Sequence, residues 1–139
     1  MFKFSGPREA SGTILLVDDN PLRASMRTQL LEGGAPAVVR ALDAAEALCL
    51  VESQGFAGGL ALVITGHVMT GISGPEFVAE FRSRMPRVPV LVLSAVPDAE
   101  KAYEGIPSVV VSRTNSPDEL RSLVSQMVGS GERQTARSA

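Results

Sequence analysis

Residues 13–23 read TILLVDDNPLR: an apolar run from Ile14 to Val17 that ends on two aspartates and breaks at Asn20-Pro21. Consecutive apolar side chains leave no polar face, so the run reads as a strand covered on both sides, as in a parallel sheet. Asn20 caps a helix and Pro21 fills its first turn, where no N–H is needed. A buried strand turning at its carboxyl end into a helix is the repeating step of an α/β fold.

The chain outward from this stretch repeats the step. Further short apolar runs occur at Ala37–Ala41 (AVVRA), Ala61–Thr65 (ALVIT), Val88–Leu93 (VPVLVL) and Ser108–Ser112 (SVVVS). The second, with Arg40 and more alanine, suits a sheet edge. Between the runs apolar residues recur at helical spacing: Leu22, Met26 and Leu30; Ala44, Leu48 and Val51; Phe77, Phe81 and Met85; more weakly Ala99, Ala102, Tyr103 and Ile106; and finally Leu120, Leu123, Val124, Met127 and Val128. Asp43 with Glu46, Gly74-Pro75, and the box Ser116-Pro117-Asp118-Glu119 supply helix starts. Five strands alternating with five helices through right-handed crossovers make a doubly wound, three-layer α/β sandwich with a parallel sheet. Sites in such folds lie beyond the carboxyl ends of the strands. The residues there are Asp18, Asp19, Thr65, Gly66, Ser94 and Arg113.

Composition narrows the function. The 139 residues suit one domain, and 13 basic against 15 acidic side chains give net −2. That balance argues against nucleic-acid binding by bulk charge. One cysteine, Cys49, and one histidine, His67, exclude a disulfide framework and multi-Cys or multi-His metal sites. Cys49 reads as a small buried apolar residue. No apolar run approaches the ~20 residues of a membrane helix. Residues 1–12 hold no apolar segment of the signal-peptide kind and read as a flexible N-terminus. Residues 129–139 (GSGERQTARSA) offer almost nothing to bury and read as a disordered or linker tail, leaving 13–128 as the folded part. The expectation is a cytoplasmic domain of bacterial type that binds neither membrane nor nucleic acid.

Four segments, in this order, carry a family resemblance: ILLVDDNP (14–21), LVITGHVMTGISGPEF (62–77), PVLVLSAVPDAE (89–100) and VVVSRTNSPDEL (109–120). Together they resemble the receiver domains of two-component response regulators. The resemblance implies a flavodoxin-like fold with strand order 2-1-3-4-5. It also implies a machinery. Receivers accept a phosphoryl group on an aspartate ending the third strand, and an acidic pair ending the first strand helps hold Mg²⁺. A Ser/Thr ending the fourth strand and a lysine ending the fifth contact the phosphoryl group. A cis proline follows the lysine, and an aromatic residue on the fifth strand switches rotamer.

Here Asp18 and Asp19 match the acidic pair and Ser94 matches the Ser/Thr position. The acceptor aspartate, however, is Gly66. The lysine is Arg113, the proline after it Thr114, the aromatic Val110, and the proline of the loop after the acceptor Thr70. Glycine cannot form an acyl phosphate, which requires a carboxylate. With two carboxylates instead of three, Mg²⁺ binding at Asp18 and Asp19 is expected to be weak at most, and no cofactor is expected. A guanidinium suits the clamping of carboxylates, so Arg113 is expected to pair with Asp18 or Asp19.

The resulting expectation is an atypical, non-enzymatic receiver acting as a phosphorylation-independent interaction module. The family's partner face, built from the fourth helix, fifth strand and fifth helix, would include Tyr103, Glu104, Val110 and Arg121. A sensor kinase or phosphotransfer protein would dock on the first helix at Arg23, Met26 and Arg27; a downstream effector or a second copy are the other partners implied. Two alternatives stand beside it. One is a receiver that accepts phosphate on a shifted residue (Asp18, Asp19 or His67), although a histidine at this place is not the acceptor in ordinary members. The other is a small-ligand module, disfavoured because carboxylates stand where a glycine-rich phosphate loop would have to be. Thr65 points to the sheet face opposite Gly66. Plain structural roles are also open: Asp19 as a helix cap, Ser94 as a strand-end serine, Arg113 as a solvated cation, Gly66 as a turn residue.

Overall fold

The computed structural model describes residues 12–32, 37–113 and 116–138. The chain runs β1 (Thr13–Val17), α1 (Pro21–Glu32), β2 (Ala37–Ala41), α2 (Ala44–Val51), α3 (Gln54–Gly58), β3 (Leu60–Gly66), α4 (Gly74–Arg84), β4 (Val90–Leu93), a 3₁₀ helix (Ala99–Tyr103), β5 (Val109–Ser112) and α5 (Pro117–Ser138). The five strands are parallel and ordered β2-β1-β3-β4-β5, the doubly wound flavodoxin-like topology expected, with β2 at an edge.

Strand alternation sorts the core into two layers. Ile14, Leu16, Leu62, Ile64 and Leu91 pack against α1 and α5 through Ala24, Leu31, Leu120 and Val124. Leu15, Val17, Val63, Val90 and Val92 face the other way, onto Ala47, Phe77, Phe81 and Tyr103. This parity decides the site. Asp18 continues the Leu16 side and Gly66 the Ile64 side, so both look toward α1. Thr65, as expected, is buried on the opposite face, its hydroxyl against Met69. Asp43 accepts from Glu46 N as expected; α4 starts at Gly74-Pro75, and its cap is Ser73, which with Glu76 closes a full capping box not among the expected helix starts. Arg82 ties the end of α4 to the strand starts, donating to the carbonyls of Met85, Val88 and Ser108.

Several expectations are corrected. On α1 the buried residues are Ala24 and Leu31, whereas Leu22 (71% exposed) and Met26 (62%) face outward. The helix is turned so that Arg23 and Arg27 point at Asp18. The second helix breaks at Glu52-Ser53 into α2 and α3, and its inner face is Ala44, Ala47 and Val51. Cys49, two residues past Ala47, falls on the outer side and is exposed. The fourth helix is a short 3₁₀ segment. Pro97 and Pro107 bracket it, Asp98 enters it in a left-handed conformation (φ 59°), and Gly105 (φ 88°) turns the chain away. Residues 129–138, expected as a disordered or linker tail, continue α5 as helix. Of the expected flexible segment 1–12, all but Gly12 lie outside the described residues, as does Thr114.

Candidate functional site

The carboxyl end of β1 delivers Asp18 into the interior, its side chain 0% exposed. A buried carboxylate must be paired or hydrogen-bonded. Arg23 Nε lies 3.1 Å from Oδ1 and 3.0 Å from Oδ2, and its Nη2 donates to Oδ1 at 2.7 Å. Arg27, one turn further along α1, donates from Nη1 to Oδ2 at 3.0 Å. Residues four apart on a helix share a face, so both guanidiniums arrive together. Asn20 N donates to Oδ1 at 3.0 Å, and Arg40 on the edge strand donates to the Asp18 carbonyl at 2.8 and 3.0 Å. The bonds to Asp18 hold the Arg23 guanidinium above its ordinary pKa. Burial pushes Arg27 down, with the charge of Asp18 opposing.

Asp19 is tied across the site instead. Thr70, in the loop after β3, donates its hydroxyl at 2.6 Å and its N–H at 3.0 Å to Asp19 Oδ2. The Thr70 hydroxyl, followed by the Thr70 N–H, is what holds this carboxyl below its ordinary value. Arg23 Nη2 also reaches Asp19, at 3.4 Å.

Beside this knot lies a cleft of about 330 Å³ lined by Arg23, Arg27, Gly66, His67, Ser94 and Val96, among others. A Cβ built on Gly66 would meet only Val68 O at 3.4 Å and Met69 Cγ at 3.7 Å, ordinary contacts. No turn therefore requires glycine there. Ser94 Oγ accepts from Val96 N at 2.9 Å. Behind the cleft, His67 Nδ1 lies 2.8 Å from Tyr103 Oη, and burial pushes the Tyr103 phenol up to about 12. Gly74 is the position where glycine is needed: a Cβ would run into Tyr103 Oη and the carbonyls of His67 and Gly66.

Residues 14–125 match the family of the response regulator receiver domain. The chain belongs to the receiver family. It is 32% identical over 115 residues to the response regulator protein FleR of Pseudomonas aeruginosa, a match covering 83% of this chain and 23% of FleR. This receiver domain thus spans about a quarter of that relative's length. Among solved structures it resembles the signal receiver domain of an HD domain-containing protein from Pseudomonas fluorescens (TM-score 0.77, 23% identity, 88% and 98% of the two chains covered). A CheY-like receiver domain protein from Methanospirillum hungatei is similar too (TM-score 0.75, 19% identity, 89% and 98% covered). Receivers are signalling modules of two-component systems, generally without catalytic activity of their own, and they interact with proteins such as kinases and effectors.

The receiver's expected site residues are only partly brought together. Ser94 and Gly66 share the cleft, and the acidic pair sits behind its arginine wall. Arg113 does not clamp Asp18 or Asp19. It is exposed, and among the described residues the cations on that pair are Arg23 and Arg27. They reach the acids first because α1 follows β1 directly. Arg23 and Arg27 are engaged with Asp18, yet Arg23 keeps a side chain 47% exposed, and Met26 beside it is exposed as well. Tyr103, expected on the partner face, is 4% exposed and packs in the core, because the short 3₁₀ turn brings it inward onto His67. Glu104, Val110 and Arg121 are exposed. The helix-facing spacing of Arg23 and Arg27 behind Asp18 was the available signal for the clamp. Arg40 is legible in the sequence only as the sign of a sheet edge, not as a donor to the Asp18 carbonyl. Among the described residues no helix is long and apolar enough to cross a membrane.

Proposed function

We propose that this chain is an atypical receiver that signals without aspartyl phosphate, as a protein-interaction module in the cytoplasm of a bacterium. One observation carries the reading. The acceptor position is Gly66, which lines a cleft with no carboxylate among its described lining residues. The shifted candidates are already engaged: Asp18 by Arg23 and Arg27, Asp19 by Thr70, His67 by Tyr103. With no phosphoryl ligand to favour a second state, the usual population shift has no driving term. The bonds Asp19–Thr70 and His67–Tyr103 fit a loop held in one arrangement.

Contact with a partner is then the remaining output. Leu22 and Met26 stand out from α1, and a groove of about 580 Å³ is lined by Arg23, Met26, Arg27, Leu30, Pro117 and Leu120. Val110, Glu104 and Arg121 offer a second face. A sensor kinase, a phosphotransfer protein, an effector or a second copy is the class of partner these surfaces suit. Intact mass after incubation with a small acyl phosphate and Mg²⁺ tests the reading. No added phosphoryl group is expected, and stoichiometric addition of one overturns it.

A further inference from the structure

We infer that Arg23 and Arg27 stand where the family's divalent cation would act, so that the acidic pair of this receiver excludes Mg²⁺ and similar metals. Two adjacent carboxylates need compensating positive charge. The two guanidiniums supply two positive charges from one helix face. An ionised carboxylate has about four lone-pair sites. Asp18 receives Arg23 Nε on both oxygens, Arg23 Nη2 and Asn20 N on Oδ1, and Arg27 Nη1 on Oδ2. Its coordination is full. Asp19 Oδ2 carries both Thr70 donors.

Mg²⁺ needs oxygen ligands at about 2.1 Å in near-octahedral order and keeps several waters. Neither the space nor the lone pairs are offered at Asp18, whose side chain is fully buried. The third carboxylate of the family is Gly66, which has none. Among the described residues, no group of three or more His, Cys, Asp or Glu is placed to hold a metal. The residues present do not fit the ion.

The clamp makes a prediction that the missing aspartate alone does not. The same two arginines line the cleft at Gly66. A carboxylate introduced by Gly66→Asp enters a space walled by guanidinium, and pairs with it rather than completing a metal site. Restoring a metal site therefore requires removing the arginines as well.

The inference concerns the site of the proposed function but does not need that proposal, because metal binding is read with no phosphodonor present. The experiment is a Mn²⁺ titration followed by water-proton relaxation, with thermal unfolding in millimolar Mg²⁺ against chelator. It uses the full chain, Gly66→Asp, and Gly66→Asp combined with Arg23→Gln and Arg27→Gln. The first two proteins are expected to show no bound Mn²⁺ and no Mg²⁺-dependent shift in unfolding. The combined variant is expected to gain Mn²⁺ affinity by about tenfold or more over Gly66→Asp. Millimolar or tighter binding by either of the first two proteins overturns the inference, as does a folded combined variant that still binds no metal. If the combined variant does not fold, the first two proteins decide the question.

Discussion

Arg23 reaches back five residues to close on Asp18, with Nη2 2.7 Å from Oδ1 of a fully buried carboxylate. Helix and strand are consecutive, so the pair welds α1 to the end of β1. The rotation of α1 that makes this bond also leaves Leu22 and Met26 in solvent. Packing of two apolar side chains, each worth about 1.5–3 kcal/mol when fully buried, is forgone. The alternative rotation would leave an uncompensated buried charge, at a cost of about 3–5 kcal/mol, and would also give up the burial of Ala24 and Leu31.

Loss of either arginine still leaves Asp18 one cation, whereas loss of both strands it. Arg23→Gln and Arg27→Gln should each cost about 1–2 kcal/mol, and the double variant should exceed their sum by about 1 kcal/mol or more. Urea unfolding of the four proteins checks this. Additive losses would mean that the guanidiniums act on Asp18 independently.

Asp19 gives the domain an acid-side dependence. Its carboxyl lies below the ordinary value of 3.8, chiefly through the Thr70 hydroxyl. A depressed folded value contributes stability above the unfolded pKa and loses it as pH falls through the folded value. Thr70→Val removes the hydroxyl donor and keeps the N–H. It should lower stability by about 0.5–1.5 kcal/mol at neutral pH, and the gap should narrow as pH falls below 3.8. A gap constant across that range would separate the Thr70 contribution from the charge on Asp19.

Two glycines near the cleft should respond oppositely to one methyl group. Gly74→Ala drives a Cβ into Tyr103 Oη and two backbone carbonyls, so a loss of about 1–3 kcal/mol is expected. Gly66→Ala meets only ordinary contacts and reduces the freedom of the unfolded chain, so it should be neutral or stabilising by up to about 1 kcal/mol. Thermal unfolding of both variants suffices. A Gly66→Ala loss comparable to that of Gly74→Ala would show that the acceptor position is sterically closed.

The sheet is legible in the sequence because Ile14–Val17 and Leu62–Ile64 are buried on both faces, and so short a continuous apolar run is the mark of a strand covered on both sides. The acid pair and the glycine are legible because strand ends place them. Helix rotation is not. Leu22, Met26 and Leu30 form as good a stripe as Ala24 and Leu31, and the choice between them rests on the charge of Asp18, a contact between elements. The apolar spacing of Ala99, Tyr103 and Ile106 puts Tyr103 on an inward stripe, as the structure has it; the family resemblance is what sets it on the partner face. A 3₁₀ turn between two prolines carries it in.

That inward turn makes Tyr103 a reporter. Its hydroxyl meets His67 Nδ1 at 2.8 Å, and burial pushes the phenol from 10.0 to about 12. The folded state thus holds the proton more tightly than the unfolded chain. The stabilisation is complete below pH 10 and is lost as pH rises through about 12, because the unfolded chain ionises first. The chain has one tyrosine, so phenolate absorbance reports this residue alone. Its midpoint should lie near 12 in the folded protein and near 10 in urea. Tyr103→Phe should cost about 0.5–1.5 kcal/mol at neutral pH by stripping His67 of its partner. It should also remove this component of the alkaline decline, so the two proteins converge as pH rises. A folded midpoint at the unfolded value would mean that Tyr103 is solvated, and that the 3₁₀ turn does not hold it against His67.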